Sequence, residues 1–200
     1  MARGFPTWIT DDASWHEDVI FLLDDELCFV DCNPAWDEFA IQNGGKQLSR
    51  AEVAGKMILD FVPNVLRDFY VQKYWFAKHS EGWTEFQYDC SSPEKIRLFR
   101  MAMIRSGEGL LVVNHLLLEE ECSPGPPLDE EGRRTYVSSG GLITMCVNCR
   151  KTKREDGSNH WEWVPDFLRD HSLTVSHGLC PRCLPYVYGH MRLRMPSRIR

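Results

Sequence analysis

Two pairs of cysteines constrain this chain more than any other feature: Cys146-Val-Asn-Cys149 and Cys180-Pro-Arg-Cys183. Each C-x-x-C spacing lets two thiols wrap one ion, and two such knuckles supply the four ligands that zinc takes in tetrahedral geometry. A site filled by four thiolates has no open position for a substrate. It is therefore structural, and its binding free energy folds a segment too small to fold alone. The 30 residues between the pairs exceed the roughly 15–20 of simple zinc fingers. A helix from Trp161 to His171 accounts for the excess, with Trp161, Val164, Phe167 and Leu168 packing over the knuckles, and Pro181 and Pro185 suit tight turns. His177, in Ser-His-Gly-Leu-Cys, is a candidate to replace one thiolate or to donate a hydrogen bond to one. An iron–sulfur cluster and a thioredoxin-like redox pair compete for the same four cysteines. The redox pair lacks its expected strand–helix setting.

The chain holds eight cysteines, and its opening stretch, MARGFPTWITDD, lacks the apolar core of a secretory signal. An intracellular, cytoplasmic setting follows as the expectation, and there metal or redox chemistry is a better use of cysteine than a disulfide framework. Cys28 and Cys32 sit four apart on one strand, on the same face but about 13 Å apart, too far to pair with each other. They read as small buried hydrophobes. Cys90 and Cys122 have no assigned role.

Charge divides the sequence. Residues 1–118 carry a net charge of -7 and form the first domain. Residues 119–139 carry -4 with three prolines and read as a linker. Residues 140–188 carry +1 and form the cysteine module, and the tail 189–200 carries +4. The overall charge of -6 argues against a nucleic-acid binder held by bulk charge. The basic groups Arg150, Lys151, Lys153, Arg154, Arg192, Arg194, Arg198 and Arg200 leave phosphate contact as an alternative, although no recognition helix accompanies them. The richest apolar run, GLLVVNHLLL, is broken by Asn114 and His115 and falls short of the roughly 18–20 residues of a membrane helix.

Within the first domain, VIFLLD (19–24) and LCFVDC (27–32) flank a turn at Asp25-Glu26 and predict a hairpin. Asn33-Pro34 opens a helix, PAWDEFAIQ, that stops at Asn43-Gly44-Gly45. From Phe61 to His79 the residues Val62, Val65, Leu66, Phe69, Tyr70, Trp75 and Phe76 fit one side of a longer helix. Three strands follow, over 83–90, 95–105 and 109–118. Short connections between consecutive strands imply antiparallel pairing. Trp83, Phe86, Tyr88, Phe99 and Met101 read as core.

This order resembles a PAS domain over roughly residues 15–118. DDELCFVDCNPAWDEFAIQNGG is similar to the first hairpin and helix of PAS sensors, including Asn33 and Trp36, and Gly55 and Asp60 in GKMILDF sit where many PAS sequences carry a Gly and an Asp. YDCSSPEKIRLFRM resembles a Tyr-Pro-Cys-His-Ser-Pro…Arg…Phe motif of bacterial sensory PAS domains, with Asp89 in place of the Pro and Ser91 in place of the His. The resemblance implies an α+β fold: a five-stranded antiparallel sheet with helices over one face, enclosing a cavity for haem, flavin, a small metabolite or nothing. The flavin-adduct motif Asn-Cys-Arg-Phe-Leu-Gln is absent. His79 lies about where haem-binding relatives carry their axial ligand, against the plain reading of a solvated histidine favourable to the helix dipole. Asn114 and His115 point to opposite sides of their strand, so one of them is expected to face the cavity, where a polar group could orient a ligand, against the plain reading of a hydrogen-bonded strand residue. PAS relatives also dimerise through an N-terminal helix, a role open to the stretch containing Trp8 and Trp15.

The second region, from Cys146 through Trp161, Phe167-Leu168, His171-Ser172 and Ser176-His177-Gly178 to Cys183, resembles a short C-terminal module of bacterial signalling proteins that follows PAS, GAF or receiver domains. No Gly-rich phosphate loop, nucleophile elbow or kinase signature is present in the sequence, and no pair of acids is spaced for catalysis. The expectation is a non-catalytic sensor or adaptor. A PAS domain would bind a small ligand or a protein partner, and a structural zinc module would relay or dock. A haem or iron–sulfur redox or gas sensor is the alternative from a different class, and a nucleic-acid-binding regulator is the third.

Overall fold

The computed structural model describes residues 5, 17–107, 109–122, 127–170 and 172–189. Its contacts define two compact units, each assembled from separate stretches of sequence. Unit 1 comprises the described parts of Met1–Pro63, Tyr70–Tyr88 and Arg97–Glu119; unit 2 comprises Asn64–Phe69, Asp89–Ile96 and the described part of Glu120–Arg200. Trp8, Trp15, His171 and the four arginines after residue 189 lie outside the described residues.

The first half of the chain runs β1 (Val19–Leu23), β2 (Phe29–Cys32), α1 (Pro34–Gln42), a 3-10 turn at Lys46–Leu48, α2 (Arg50–Val53), a second 3-10 turn at Ile58–Phe61 and α3 (Asn64–His79). Three strands complete it: β3 (Thr84–Asp89), β4 (Lys95–Ser106) and β5 (Gly109–Glu121). The strands form one sheet in the order β2-β1-β5-β4-β3. β1 is antiparallel to both β2 and β5, and the short connections among β3, β4 and β5 admit only antiparallel pairing. All the helices of this half lie in sequence between β2 and β3, so a five-stranded antiparallel sheet with flanking helices is established, as the PAS resemblance implies.

Local chemistry fixes the first elements. In the β1–β2 turn the Asp24 carboxylate accepts from the backbone N–H groups of Glu26 and Cys28 at 3.1 and 2.8 Å, an Asx arrangement that stands in for a backbone turn. Asn33 caps α1 by accepting from Trp36 N at 3.3 Å. It also accepts from Ile20 N at 3.0 Å and donates to Asp18 O at 2.7 Å, so one side chain starts the helix and pins it to β1. Pro34 sits at the first helical position, where its missing N–H costs nothing.

Alternation along β1 and β5 sorts their side chains onto two faces. Ile20, Leu22, Leu111 and Val113 form one buried cluster, against which Phe5, Val30 and Ile104 pack. On the other face Phe21, Phe29 and Trp36 meet with ring centroids 5.2 to 5.5 Å apart, and Trp36 Nε1 donates to Leu48 O. The tilted and edge-on arrangements suit the ring quadrupoles. Along α3 the buried positions are Leu66, Phe69, Tyr74 and Ala77, a stripe at helical spacing. Trp75 and Phe76, expected in the core, lie off that stripe and are 55% and 60% exposed, and Trp83 is 42% exposed. Phe86, Phe99 and Met101 are buried as expected. Cys28 lies just before β2 and makes an isolated bridge with Met57. Cys32 ends β2, and burial pushes its thiol up to about 12.

Arg97 is buried, and it donates to Glu119 Oε2 at 2.7 Å and to Asn43 Oδ1 at 2.8 Å. Truncating it leaves a partly solvated carboxylate and an amide short of a donor. Arg97→Ala is therefore expected to cost unit 1 about 2 kcal/mol, read as a lowered urea midpoint with an unchanged m-value.

Unit 2 contains a second sheet in the order β8-β7-β6-β9, from β6 (Ile143–Cys146), β7 (Thr152–Lys153), β8 (Trp161–Glu162) and β9 (Val175–Gly178). β6 runs antiparallel to β7 and parallel to β9, with Ile143 opposite Val175 and Cys146 opposite Gly178. Its helices are α4 (Glu130–Arg134), α5 (Pro165–Arg169) and α6 (Cys183–Tyr188). Tyr136, Ile143, Met145, Val164 and Phe167 form the core. The helix expected over Trp161–His171 is confined to α5, because Trp161 and Glu162 pair with β7 instead. Only Trp161 of the four expected residues packs on the cysteines; Val164, Phe167 and Leu168 join the Tyr136 core. The stretch 119–139 is also more structured than its composition suggests. β5 runs on to Glu121, Asp129 caps α4 by accepting from Gly132 N at 2.8 Å, and Tyr136 is buried.

Candidate metal centre

β6 delivers Cys146 to the first knuckle. The turn closes through Arg150 N donating to Cys146 O at 2.9 Å and Cys146 N donating to Lys151 O at 2.8 Å. Arg150 takes the left-handed conformation, φ 62°, which costs a non-glycine residue roughly 1 kcal/mol and is imposed by the knuckle around it. The second knuckle closes where Cys183 N and Leu184 N both donate to Cys180 O, at 3.0 and 2.9 Å, and Cys183 starts α6. The parallel pairing of β6 with β9 joins the two, because Val147 N donates to Gly178 O at 2.9 Å just ahead of Cys180.

The sequence expectation of four clustered cysteines holds in the structure. The Sγ atoms of Cys146, Cys149, Cys180 and Cys183 all lie within 4.8 Å of one another. Cys149 and Cys180 are 3.7 Å apart, and a tetrahedron with Zn–S bonds of about 2.3 Å has edges of about 3.8 Å. A disulfide would need the sulfurs about 2 Å apart, and all four are free thiols. Cys146, Cys180 and Cys183 are buried, Cys149 is half-buried, and Trp161 and Leu179 pack against them. N–H groups point at the sulfurs: Cys180 N to Cys146 Sγ at 3.4 Å and Asn148 Nδ2 to Cys183 Sγ at 3.4 Å.

The protonation chemistry fits a cation. Hydrogen bonds from the thiols of Cys149 and Cys183 hold Cys146 well below the usual thiol range. Sharing with Cys146 pushes Cys149 far up and Cys183 up to about 12. A first thiolate opposes the ionisation of the others, and a cation bound there would offset that repulsion. The donor set, its spacing and its shielding from water fit one ion held by four thiolates, which closes every coordination position. His177 lies on β9, exposed, and is not among the clustered ligands.

The remaining candidates are separate. Asn114 is buried, accepts from Tyr88 OH at 2.9 Å and donates to Val19 O at 3.1 Å, so it is the polar residue on the helix-side face of β5. His115 is exposed on the opposite face, where its Nδ1 lies 2.7 Å from Asp18 Oδ1. His79 is exposed at the end of α3; its ring stacks on Trp75 with centroids 4.4 Å apart, and its Nδ1 donates to Trp75 O at 2.7 Å. A groove of about 780 Å3 opens between β2, α1 and α2, with Val30, Ala40, Ala51 and Ala54 in its lining and the Asp37–Arg50 ion pair at 2.7 Å beside them. Its volume is of the order that small ligands occupy, and none of the ligand candidates His79, Asn114 and His115 lines it. Its wall mixes small and apolar residues with Asp31, Asp37, Lys46 and Arg50, a set drawn from three separate elements that no local spacing marks. In the basic run after the first knuckle, Arg154 pairs with Asp156 and Glu162 at 2.6 and 3.0 Å and Lys153 with Glu155 at 3.6 Å, so part of that charge is neutralised locally.

Solved structures of PAS domains resemble the chain at low identity. The PAS domain of an HTR-like protein from Haloarcula marismortui is 17% identical, with a TM-score of 0.38 over 56% of this chain and 92% of that one. The PAS domain of Bordetella pertussis BvgS is 14% identical, with a TM-score of 0.35 over 56% and 86%. A phage VqmA–DPO complex is 14% identical, with a TM-score of 0.41; the match covers 56% of this chain and 51% of that one, about half its length. No family profile and no curated protein matches the chain. Among the described residues no helix is long and apolar enough to cross a membrane. Strand order and element order define the class: a PAS-like α+β fold with a C-terminal cluster of four cysteines that could hold a metal ion.

Proposed function

We propose that this chain is a non-catalytic bacterial signal-transduction sensor or adaptor, working in the cytoplasm, in which the PAS-like part binds a small ligand or a protein partner and a zinc-stabilised module relays or docks. The observation that carries the reading is the pairing, in one chain, of a PAS-like fold with four thiols gathered tightly enough for a single ion. Zinc is favoured over an iron–sulfur cluster because a multinuclear cluster sets several iron and sulfide atoms between its cysteines and needs a wider cage. Bound zinc supplies a cross-link and no reaction step. The chain's own residues do the rest: the thiolates hold the ion, the N–H donors orient them, and Trp161 and Leu179 shield them. The proposed action is a population shift, in which ligand state alters the surface offered to a partner, a second copy of the chain included.

Metal analysis with a visible spectrum tests this on the anaerobically purified chain. The expected result is a colourless protein with about one zinc per chain. A shoulder near 400 nm with bound iron, or a Soret band, overturns the zinc assignment and moves the chain to the redox or gas sensors.

A further inference from the structure

We propose that Asn148 is a two-sided link between the metal centre and the end of β3, so that metal loading and the order of the β3–β4 connection are coupled. The inference rests on the metal reading above and adds residues that neither the cysteine spacing nor the PAS resemblance assigns. Asn148 sits inside the first knuckle, yet its side chain reaches the second. Nδ2 donates to Cys183 Sγ at 3.4 Å and to Asp89 Oδ2 at 3.3 Å. A primary amide has two N–H bonds on that nitrogen, one for each acceptor.

Both acceptors are costly to leave alone. The Cys183 thiolate of a four-thiolate site is part of an excess of negative charge that hydrogen-bond donors must offset. Burial pushes the Asp89 carboxyl up, against the opposing pull of Arg182 and Lys151, and the charge of Cys146 adds to that rise. A neutral donor between two acidic groups satisfies both without adding charge, which Asp or Glu at position 148 would not do.

The segment that Asp89 opens belongs to unit 2. Asp89–Ile96 clusters with the cysteine module, and its far end has anchors of its own: Cys122 N donates to Glu94 O at 2.7 Å, and Arg169 donates to Glu94 Oε1 and Pro93 O at 3.4 and 3.3 Å. One anchor at its start runs through Asn148 to Cys183 of the cysteine cluster. Because linkage is reciprocal, the factor by which metal loading favours the ordered segment is the factor by which ordering the segment raises metal affinity.

The test uses the full chain, with zinc affinity measured by chelator competition and hydrogen exchange followed in the zinc-loaded state. Asn148→Ala is expected to weaken zinc binding by about 10–100-fold and to speed exchange in residues 89–96 while β6 amides keep their protection. Asp89→Ala, which removes no ligand, is expected to weaken zinc binding by about fivefold or more, and most of that effect is expected to disappear in the Asn148→Ala background. Zinc affinity unchanged by Asp89→Ala, or exchange in 89–96 unchanged by Asn148→Ala, overturns the link alone. An unsubstituted chain that binds no zinc overturns the metal reading and the link with it.

Discussion

Cys149→Ser is expected to release the metal and unfold the cysteine module while unit 1 keeps its fold. Serine is a poor ligand for a soft thiolate site, and three thiols leave the coordination open to water. Structural zinc supplies roughly 10–16 kcal/mol in comparable four-ligand segments, and little else in unit 2 could replace it. Its cluster around Tyr136, Ile143, Met145, Val164 and Phe167 is small, and two of the four strands in its sheet are only two residues long. The β6–β9 pairing brings together segments about 30 residues apart in sequence, and closing that loop costs entropy that the metal offsets. Metal content by mass spectrometry and hydrogen exchange on the same sample check the prediction. Zinc should be lost, and protection in β6 and β9 should collapse while β1 and β5 stay protected. Full zinc content in the variant would sink four-cysteine ligation. Chelation of the unsubstituted chain should reproduce the pattern, and added zinc should reverse it.

What sequence reading could reach here follows the range of the forces involved. α1 runs from Pro34 to Gln42 as expected because both of its ends are written locally, in Asn33-Pro34 and in Asn43-Gly44. The cluster of four cysteines was legible for the same reason, since each knuckle spans four residues and only a few chemistries use that spacing. The region between the knuckles was not. Strands of two residues carry no periodicity, and Pro165 can begin a helix but cannot sit inside one, so a pattern that looked helical from Trp161 breaks at α5. The parallel β6–β9 pairing joins strands about 30 residues apart, and neither strand alone carries a signal for it. Tyr136 lay hidden in an acidic, proline-rich stretch whose average composition outweighed its one aromatic anchor. Spacing groups Trp75 and Phe76 with Leu66 and Phe69 on one side of the helix, whereas the buried positions of α3 are Leu66, Phe69, Tyr74 and Ala77, and both aromatics lie off them. Asp89 stood out in the sequence as a departure from the PAS-type motif, but its contact with Asn148 lies 59 residues away and had no local signature.

The hairpin that joins β4 to β5 separates two different reasons for glycine, and the contrast gives the largest effect expected in unit 1. Gly109 opens β5 where that strand passes the end of β1, with Leu110 opposite Leu23. A Cβ at Gly109 would run into Leu23 O, with Leu23 C at 2.9 Å and Asp24 Cα at 3.1 Å. These are backbone atoms, so no rotamer change can clear them, and β1 and β5 are both interior strands of the sheet. Gly109→Ala must therefore spread the β1–β5 pair at a point where Leu23 and Leu110 are fully buried. Overpacking of this kind, with a main-chain shift, is expected to cost more than about 3 kcal/mol, and the melting temperature of unit 1 should fall by about 10 °C. Gly107, two residues earlier, has a φ of 62° and open space around the position of a Cβ. There alanine pays only the left-handed backbone penalty, about 1 kcal/mol. Thermal unfolding of the two variants side by side decides the matter. Gly109→Ala must be the more damaging by a clear margin, and equal losses would mean that β5 does not approach β1 as closely as the pairing requires.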